Sequence, residues 1–385
     1  MIDLDSIIGR CREIGEDITF AAARGWKGER PGRKVAGYFP VYTPEELIHA
    51  AGMLPVAIFG GSNKLDISYA DARVQSFICS IVRTSLELGF TGAVSFADVM
   101  FFHDICDAGK NLGAVWARNF PQTVVDYVHF PQNMTSSGSV DYLEGELRRV
   151  QTLLERVAGR PISRDDLRRS IGIYNENRGL VRELYRIKRE TPWLLSAAEV
   201  YSLVKAGTMM PKEEHNGVLR TALAEVSQRQ ARPRDKIRVV VEGAFCEQPP
   251  LEFVEVVEEV CYIVDDDFLL GSRWFAQDVP VDGDPLRGLA ASYIERSVYS
   301  TVRHYGPRPR FQQLVEKCRR AKAQAAILTP PKFCEPALYD EVAFERALDQ
   351  ERFPHLLLEF EEKMMTFENV RTQVETFAES ILFYS

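Results

Sequence analysis

Cys106, Cys246 and Cys334 each stand just after an apolar run that reads as a strand and just before a segment that reads as a helix. In open α/β sheets ligands gather outside the carboxyl ends of the strands, where the next helix offers free amide donors and the positive end of its dipole. A thiolate or an anionic metal cluster is stabilised there, so position makes these three cysteines candidate ligands. The competing reading is packing, because cysteine is also a small hydrophobe that cores commonly bury. Cys79 falls within DARVQSFICSIVRTSLELG, which reads as one helix, and on pattern alone it belongs to the core. Cys11, Cys261 and Cys318 lie on apolar helix faces or in a strand and read as structural.

The phrase HDIC sets His103 and Asp104 beside Cys106. A histidine next to a carboxylate is a proton-shuttle candidate, since its pKa lies near neutrality, although a strand-to-helix turn accounts for the same residues and is the favoured reading. His129 ends a strand in VHFPQ and faces the presumed cleft by the same strand-end argument, whereas His49, His215, His304 and His355 have no such context. Asp265, Asp266 and Asp267 follow a strand, and an acidic turn is favoured over a hard-cation site. No GxxxxGK[ST] occurs and Gly60-Gly61 lacks the GxGxxG frame, so any ATP used must be bound by another chain.

These residues need a scaffold that brings distant strand ends together. Residues 1–30 read as a helical arm, with Ile7, Ile8, Cys11, Ile14 and Ile18 on one stripe. KVAGYFP, MLPVAIFGG, the strand before Cys106 and TVVDYVHFPQ alternate with helices, which predicts a parallel sheet in a Rossmann-like or flavodoxin-like unit over 31–139. Thr43-Pro44-Glu45-Glu46 reads as a capping box opening the first of those helices. Strand signals then vanish over 140–227, a helical insert with capping boxes at Ser163 and Ser196. A second α/β unit over 228–385 opens with KIRVVVEGAFCEQPP and closes with a long helix. The two units share a grammar without a residue-level repeat.

At 385 residues and 45% hydrophobic the chain exceeds one core, since single cores stop growing at roughly 250–300 residues. A net charge of -8 and a pI near 5.5 give no broad basic footprint for nucleic acid. The opening MIDLDSIIGRCREIGED has no basic leader with an apolar block, and no run of about 18 apolar residues occurs, so neither export nor a membrane anchor is expected. Seven cysteines, odd in number, scattered and without CxxC, fit a reducing cytoplasm and exclude a local ferredoxin or zinc-ribbon motif. Any metal site must be assembled by the fold.

KVAGYFPVYTPEELIHAAGMLPV, the helix carrying Cys79, DVMFFHDICDAG with Cys106, KFCEPALYDE with Cys334 and the ending FPHLLLEFEEKMMTFENVRTQVETFAESI together resemble the benzoyl-CoA reductase and 2-hydroxyacyl-CoA dehydratase family. The resemblance spans nearly the whole chain from about Lys34. It implies that Cys79, Cys106 and Cys334 hold a [4Fe–4S] cluster between the two α/β units, which replaces the packing reading of Cys79. Cys246 is then a nearby supporting residue or an alternative ligand, and His103 a supporting or proton-transfer residue. Three thiolates leave one iron open to water, sulfide or substrate, whereas electron-transfer clusters usually have four cysteines.

The resemblance further implies a core heterodimer with a related subunit, fed by an ATP-hydrolysing iron–sulfur activator with ferredoxin as donor. Length and motif set resemble the smaller core subunit of the reductase branch. The implied reaction is two-electron, dearomatising reduction of benzoyl-CoA to a cyclic dienoyl-CoA in anaerobic aromatic catabolism. The sister reaction is radical elimination of water from a 2-hydroxyacyl-CoA. A different class is a non-catalytic partner that relays electrons while its sister subunit binds the acyl-CoA, and a metal-free α/β binding protein is the reading that iron analysis would exclude.

Overall fold

A computed structural model describes residues 3–269, 277–301 and 310–384. The first sheet holds β1 (Val35–Tyr38), β2 (Leu54–Ala57), β3 (Val99–His103) and β4 (Val124–Val128), all parallel, in the order β2-β1-β3-β4. The second holds β5 (Ile237–Glu242), β6 (Cys261–Asp266), β7 (Ala325–Leu328) and β8 (His355–Leu357), parallel in the order β6-β5-β7-β8. Counted from its own first strand, each sheet has the same order, that of a flavodoxin-like doubly wound unit. The direction of winding therefore reverses between β1 and β3 in one sheet and between β5 and β7 in the other.

Strands such as β1 and β7 are buried at every residue, as expected where helices cover both faces of a parallel sheet. Between the sheets run four helices, Ser139–Ala158, Arg164–Glu190, Ala197–Ala206 and Lys212–Val226. The capping boxes at Ser163 and Ser196 form with both reciprocal hydrogen bonds. Helix Arg164–Glu190 packs on helix Glu45–Ala50 of the first unit and on β6 of the second, so it ties the two together. The N-terminal helix Leu4–Gly15 lies on helix Ala197–Ala206 and buries Cys11. One core runs from that helix through both sheets, and a smaller one fills the space between the second sheet and helices Arg310–Arg320 and Glu335–Gln350.

Three local expectations are corrected. The capping box at Thr43 does not form: Pro44 is the N-cap, and Glu46 instead pairs with Arg178 in a buried ion pair. The run from Asp71 to Gly89 is not one helix but a short turn of helix, Ser68–Asp71, a loop, and helix Ser80–Phe90. Glu87 of the second helix turns back to accept from the Ala70 N–H at 2.7 Å, capping the start of the earlier turn. The acidic run at 265–267 does cap a turn, with Asp266 accepting from the Phe268 N–H at 3.0 Å, but its carboxylates chiefly form a buried ion network. Asp266 takes Lys188 and the Tyr185 hydroxyl (2.8 Å), Asp265 takes Arg189 (3.2 Å), and Asp267 takes Arg310 (3.3 Å) and the Gly243 N–H (2.9 Å). Of the histidines without a sequence context, His215 is buried against the Leu203 carbonyl (2.8 Å), and His304 lies outside the described residues.

The two units also meet through Glu362, which follows β8 and enters the first unit to accept from the Ser62 N–H (2.5 Å) and the Thr84 hydroxyl (2.5 Å). Gly60, at φ +88°, makes room, since a Cβ there would stand 2.5 Å from Glu362 Oε1. Burial, with the Glu247 carboxyl nearby, pushes Glu362 up to about 8. A carboxyl raised on folding contributes stability fully present below its unfolded pKa and lost as pH rises through the folded value. The protein is therefore expected to lose stability between about pH 5 and pH 9, on the order of a few kcal/mol from this residue. Glu362→Gln, an isostere of the protonated acid, should flatten that decline in denaturant midpoints measured across the range, and an equally steep decline would rule out Glu362 as its source.

Candidate functional site

Cys79, Cys106 and Cys334 are each the N-cap residue of a helix: Ser80–Phe90, Asp107–Asn119 and Glu335–Gln350. Two of these helices follow β3 and β7, the strands on the far side of each winding reversal, so sheet topology carries Cys106 and Cys334 to facing strand ends. All three cysteines are half-buried and line one cavity of about 1040 Å³. Phe333, in a left-handed conformation at φ 64°, precedes Cys334, and its carbonyl oxygen lies 3.5 Å from the Cys79 Sγ. Such a backbone conformation is strained for a bulky residue and persists where the surroundings enforce it.

The thiols differ in how their surroundings treat the charged form. Cys334 is lowered, first by a hydrogen bond from Cys79 and also by the Ala337 N–H, against the opposing effect of burial. Cys79 is raised, first by that shared hydrogen bond and then by burial. Burial pushes Cys106 up to about 11, although the Gly109 N–H, 3.4 Å from its Sγ, favours the thiolate. A bound cation or cluster would deprotonate all three thiols.

The sequence-derived residues separate into three groups. Cys79, Cys106 and Cys334 are brought together, although Cys79 sits at a helix start rather than within the helix expected for it. Cys246, in the loop after β5, is buried behind the cavity with its Sγ 3.9 Å from His103 Nε2. His103 is itself buried, and its Nε2 hydrogen-bonds the Pro40 carbonyl, so Nε2 carries the proton and Nδ1 is left as an acceptor without a partner. Burial lowers its pKa to about 4, which keeps the ring neutral. His129 stands apart on the surface, with Nδ1 2.8 Å from Asp104 Oδ2 and its ring stacked on Tyr127. Neither His129 nor Asp104 lines the cavity.

Arg310 is a cavity residue that no local sequence signal indicates. Its buried guanidinium meets Glu242 (3.2 Å), Asp267 (3.3 Å), Asp340 and the Thr301 hydroxyl (2.7 Å), and it lies over the Phe344 ring. Phe77, 69% exposed, and Tyr339, 82% exposed, form the solvent side of the cavity, with Phe333 beside them.

Among the described residues no group of three His, Cys, Asp or Glu side chains closes on a single metal ion. A cubane cluster asks for a different arrangement, with thiolates set apart at its corners and an anionic body in need of N–H donors and positive dipoles. Three cysteines on three helix N-termini around one cavity match that donor chemistry.

Gly109 shows how tightly one wall is built. A Cβ there would meet His103 Cε1 at 2.6 Å and Cys106 Sγ at 3.5 Å. With the ring locked to Pro40, Gly109→Ala should destabilise the fold by about 1–3 kcal/mol, as overpacking does. Thermal denaturation checks this, and an unchanged midpoint would show that the ring can give way.

The chain matches the family described as 2-hydroxyglutaryl-CoA dehydratase, D-component, over residues 40–381. It is similar to a subunit of the benzoyl-CoA reductase of Thauera aromatica, 40% identical across 98% of this chain and 99% of the relative. It is similar to the beta subunit of lactoyl-CoA dehydratase of Anaerotignum propionicum, 31% identical across 99% of this chain and the whole of that relative. It is also similar to the beta subunit of (R)-2-hydroxyglutaryl-CoA dehydratase of Acidaminococcus fermentans, 27% identical across 92% of this chain and 94% of the relative.

Proposed function

The chain belongs to the benzoyl-CoA reductase and 2-hydroxyacyl-CoA dehydratase family, and from that premise we propose that it is the cluster-bearing smaller core subunit of an ATP-dependent benzoyl-CoA reductase. The observation that carries the reading is the convergence of Cys79, Cys106 and Cys334, each a helix N-cap, on one cavity. These residues would hold a [4Fe–4S] cluster with one iron lacking a cysteine ligand. When bound, the cluster supplies single electrons at low potential.

The chain's own residues have definable parts. Three helix N-termini present positive dipole ends to the thiolates, and the Gly109 N–H donates to the Cys106 sulfur, which stabilises the charged forms. Phe333, Leu338 and Phe344 give the cavity an apolar wall that limits water at the reacting centre. Arg310 places a permanent positive charge on the same wall, near Cys334. His103, neutral and without a route through the cavity, supports the Cys106 helix rather than acting as an acid at neutral pH.

The overall reaction proposed is ferredoxin-dependent reduction of benzoyl-CoA to a cyclohexadienoyl-CoA in the cytoplasm. The heterodimer is completed by a related core subunit, and ATP-hydrolysing iron–sulfur partners deliver the electrons. No helix among the described residues is long and apolar enough to cross a membrane. A second reading, a subunit of a radical 2-hydroxyacyl-CoA dehydratase, is favoured by the lactoyl-CoA dehydratase relative, which aligns over its whole length.

The test is anaerobic co-purification with the partner core subunit, followed by iron and sulfide analysis, EPR, and turnover of benzoyl-CoA and lactoyl-CoA with a reduced activator. Iron, sulfide and a cluster signal assigned to this chain, with consumption of benzoyl-CoA alone, is the expected result. Consumption of lactoyl-CoA alone would replace the reductase by the dehydratase reading. A chain without iron would leave it an interface partner of the substrate-binding subunit.

A further inference from the structure

Cys79 differs from Cys106 in one respect that local sequence does not show. As N-cap of helix Ser80–Phe90 it makes no side-chain capping hydrogen bond, whereas the Cys106 sulfur accepts from the Gly109 N–H of its own helix. The first amides of a helix have no partner within it and need acceptors from elsewhere. Here the acceptor comes from the other α/β unit. Glu247, in the loop after β5, takes the Ser80 hydroxyl on Oε1 and the Ile81 N–H on Oε2 at 3.3 Å. The Glu362 N–H donates to the same Oε1 at 2.6 Å and to the Ser80 oxygen at 3.0 Å.

We propose that Glu247 is a positioning residue for Cys79, reaching across the domain junction to cap the helix that Cys79 opens and so fixing where its thiol stands. The inference rests on the reading of Cys79 as a cluster ligand. Burial raises the Glu247 pKa, and the hydrogen bonds that both of its oxygens receive from Ser80, Glu362 and Ile81 pull it back towards the carboxylate. The side chain is buried, and the residues it joins come from three places: the start of the Cys79 helix, the loop after β5, and the segment after β8. A neighbouring thiol is a poor acceptor and would be committed to iron, so leaving the capping to Glu247 frees the sulfur from that task.

Two consequences separate this role from simple bracing. Capping the helix holds Cys79 at a set distance from Cys334, whose unit also supplies Glu247, so the cluster should be retained only while that link is intact. A negative charge at the same helix terminus opposes the helix dipole and disfavours an added electron on a nearby cluster. Removing the charge while keeping the shape should therefore make the cluster easier to reduce.

The experiment compares wild type, Glu247→Gln, Glu247→Ala and Ser80→Ala, each co-purified anaerobically with the partner subunit. Iron loss to a chelator and the midpoint potential from an EPR-monitored redox titration are read for each. Glu247→Gln, whose amide oxygen still takes the Ser80 hydroxyl and the Glu362 N–H while its NH2 cannot accept from Ile81, is expected to keep most of its iron and shift the potential upward. Glu247→Ala and Ser80→Ala are expected to lose iron several-fold faster than wild type, with the glutamine variant rescuing retention relative to alanine. Wild-type iron loss and potential in all three variants would overturn the proposal. Faster loss from the alanine variants with no shift of potential in Glu247→Gln would make Glu247 a brace only and overturn it as well. Should Glu247→Gln not fold, unchanged iron loss in Ser80→Ala is enough to reject the link. Absence of iron from wild type itself would refute the cluster reading instead, so the two failures are told apart.

Discussion

Cys106→Ala is expected to lose its cluster iron and to melt roughly 5–10 °C below the loaded wild type, because metal binding to a site built only by the fold is also folding free energy. The three candidate thiols belong to helices from both α/β units, so the cluster would pin the units across the junction. The side chain itself contributes less, being half-buried at a helix start. Iron analysis and thermal melting of the same anaerobic preparation check both halves of the expectation. Cys246→Ala is the control, since Cys246 lies behind the cavity and should keep full iron. Full iron in Cys106→Ala, or loss of iron in Cys246→Ala, would redraw the ligand set.

The second large effect is expected at Arg310. Arg310→Met leaves Glu242, Asp267 and Asp340 without the buried guanidinium between them, and removing one partner from such a network typically costs about 3–5 kcal/mol. Lys317 still faces Glu242, so Asp267 bears most of the change. Burial, with Glu242 nearby, already pushes Asp267 up to about 8 while Arg310 pulls it down. Without Arg310 its folded-state pKa rises further, and a carboxyl raised on folding costs stability as pH climbs above its unfolded value. The deficit of the variant should be smallest near pH 6, where Asp267 is protonated in both folded proteins, and grow towards pH 9, where only the wild type can ionise it. Urea midpoints at the two pH values measure it, and a pH-independent deficit would mean that lost packing on Phe344, not charge, dominates.

The parallel α/β architecture was legible because its signals are local. Apolar runs followed by helical periods mark β1, β3, β5 and β7 wherever they occur, and the capping boxes at Ser163 and Ser196 announce their helices within four residues. The same locality exposed Cys106, Cys246 and Cys334 as strand-end residues. Cys79 was misplaced within a helix because the groups that cap the preceding turn and its own helix are distant in sequence: the Glu87 carboxylate for the first, and the Glu247 carboxylate, joined by the Glu362 N–H, for the second. The Thr43 box failed for a related reason: Glu46 finds a better partner in Arg178 than in the backbone of its own first turn.

By itself the sequence determined the fold class, the helical block between the sheets and three cysteines at strand ends, since each depends on residues within one turn or one strand of each other. Only the tertiary structure decided that Cys246 stays behind His103 while Cys79 joins the cavity, that Arg310 stands on its wall, and that carboxylates cross the domain junction. Those outcomes depend on which strand ends face one another, and that is set by two sheets wound in the same order and held by one long helix. Residues that meet across such a junction share no spacing along the chain, so geometry alone brings their chemistry together.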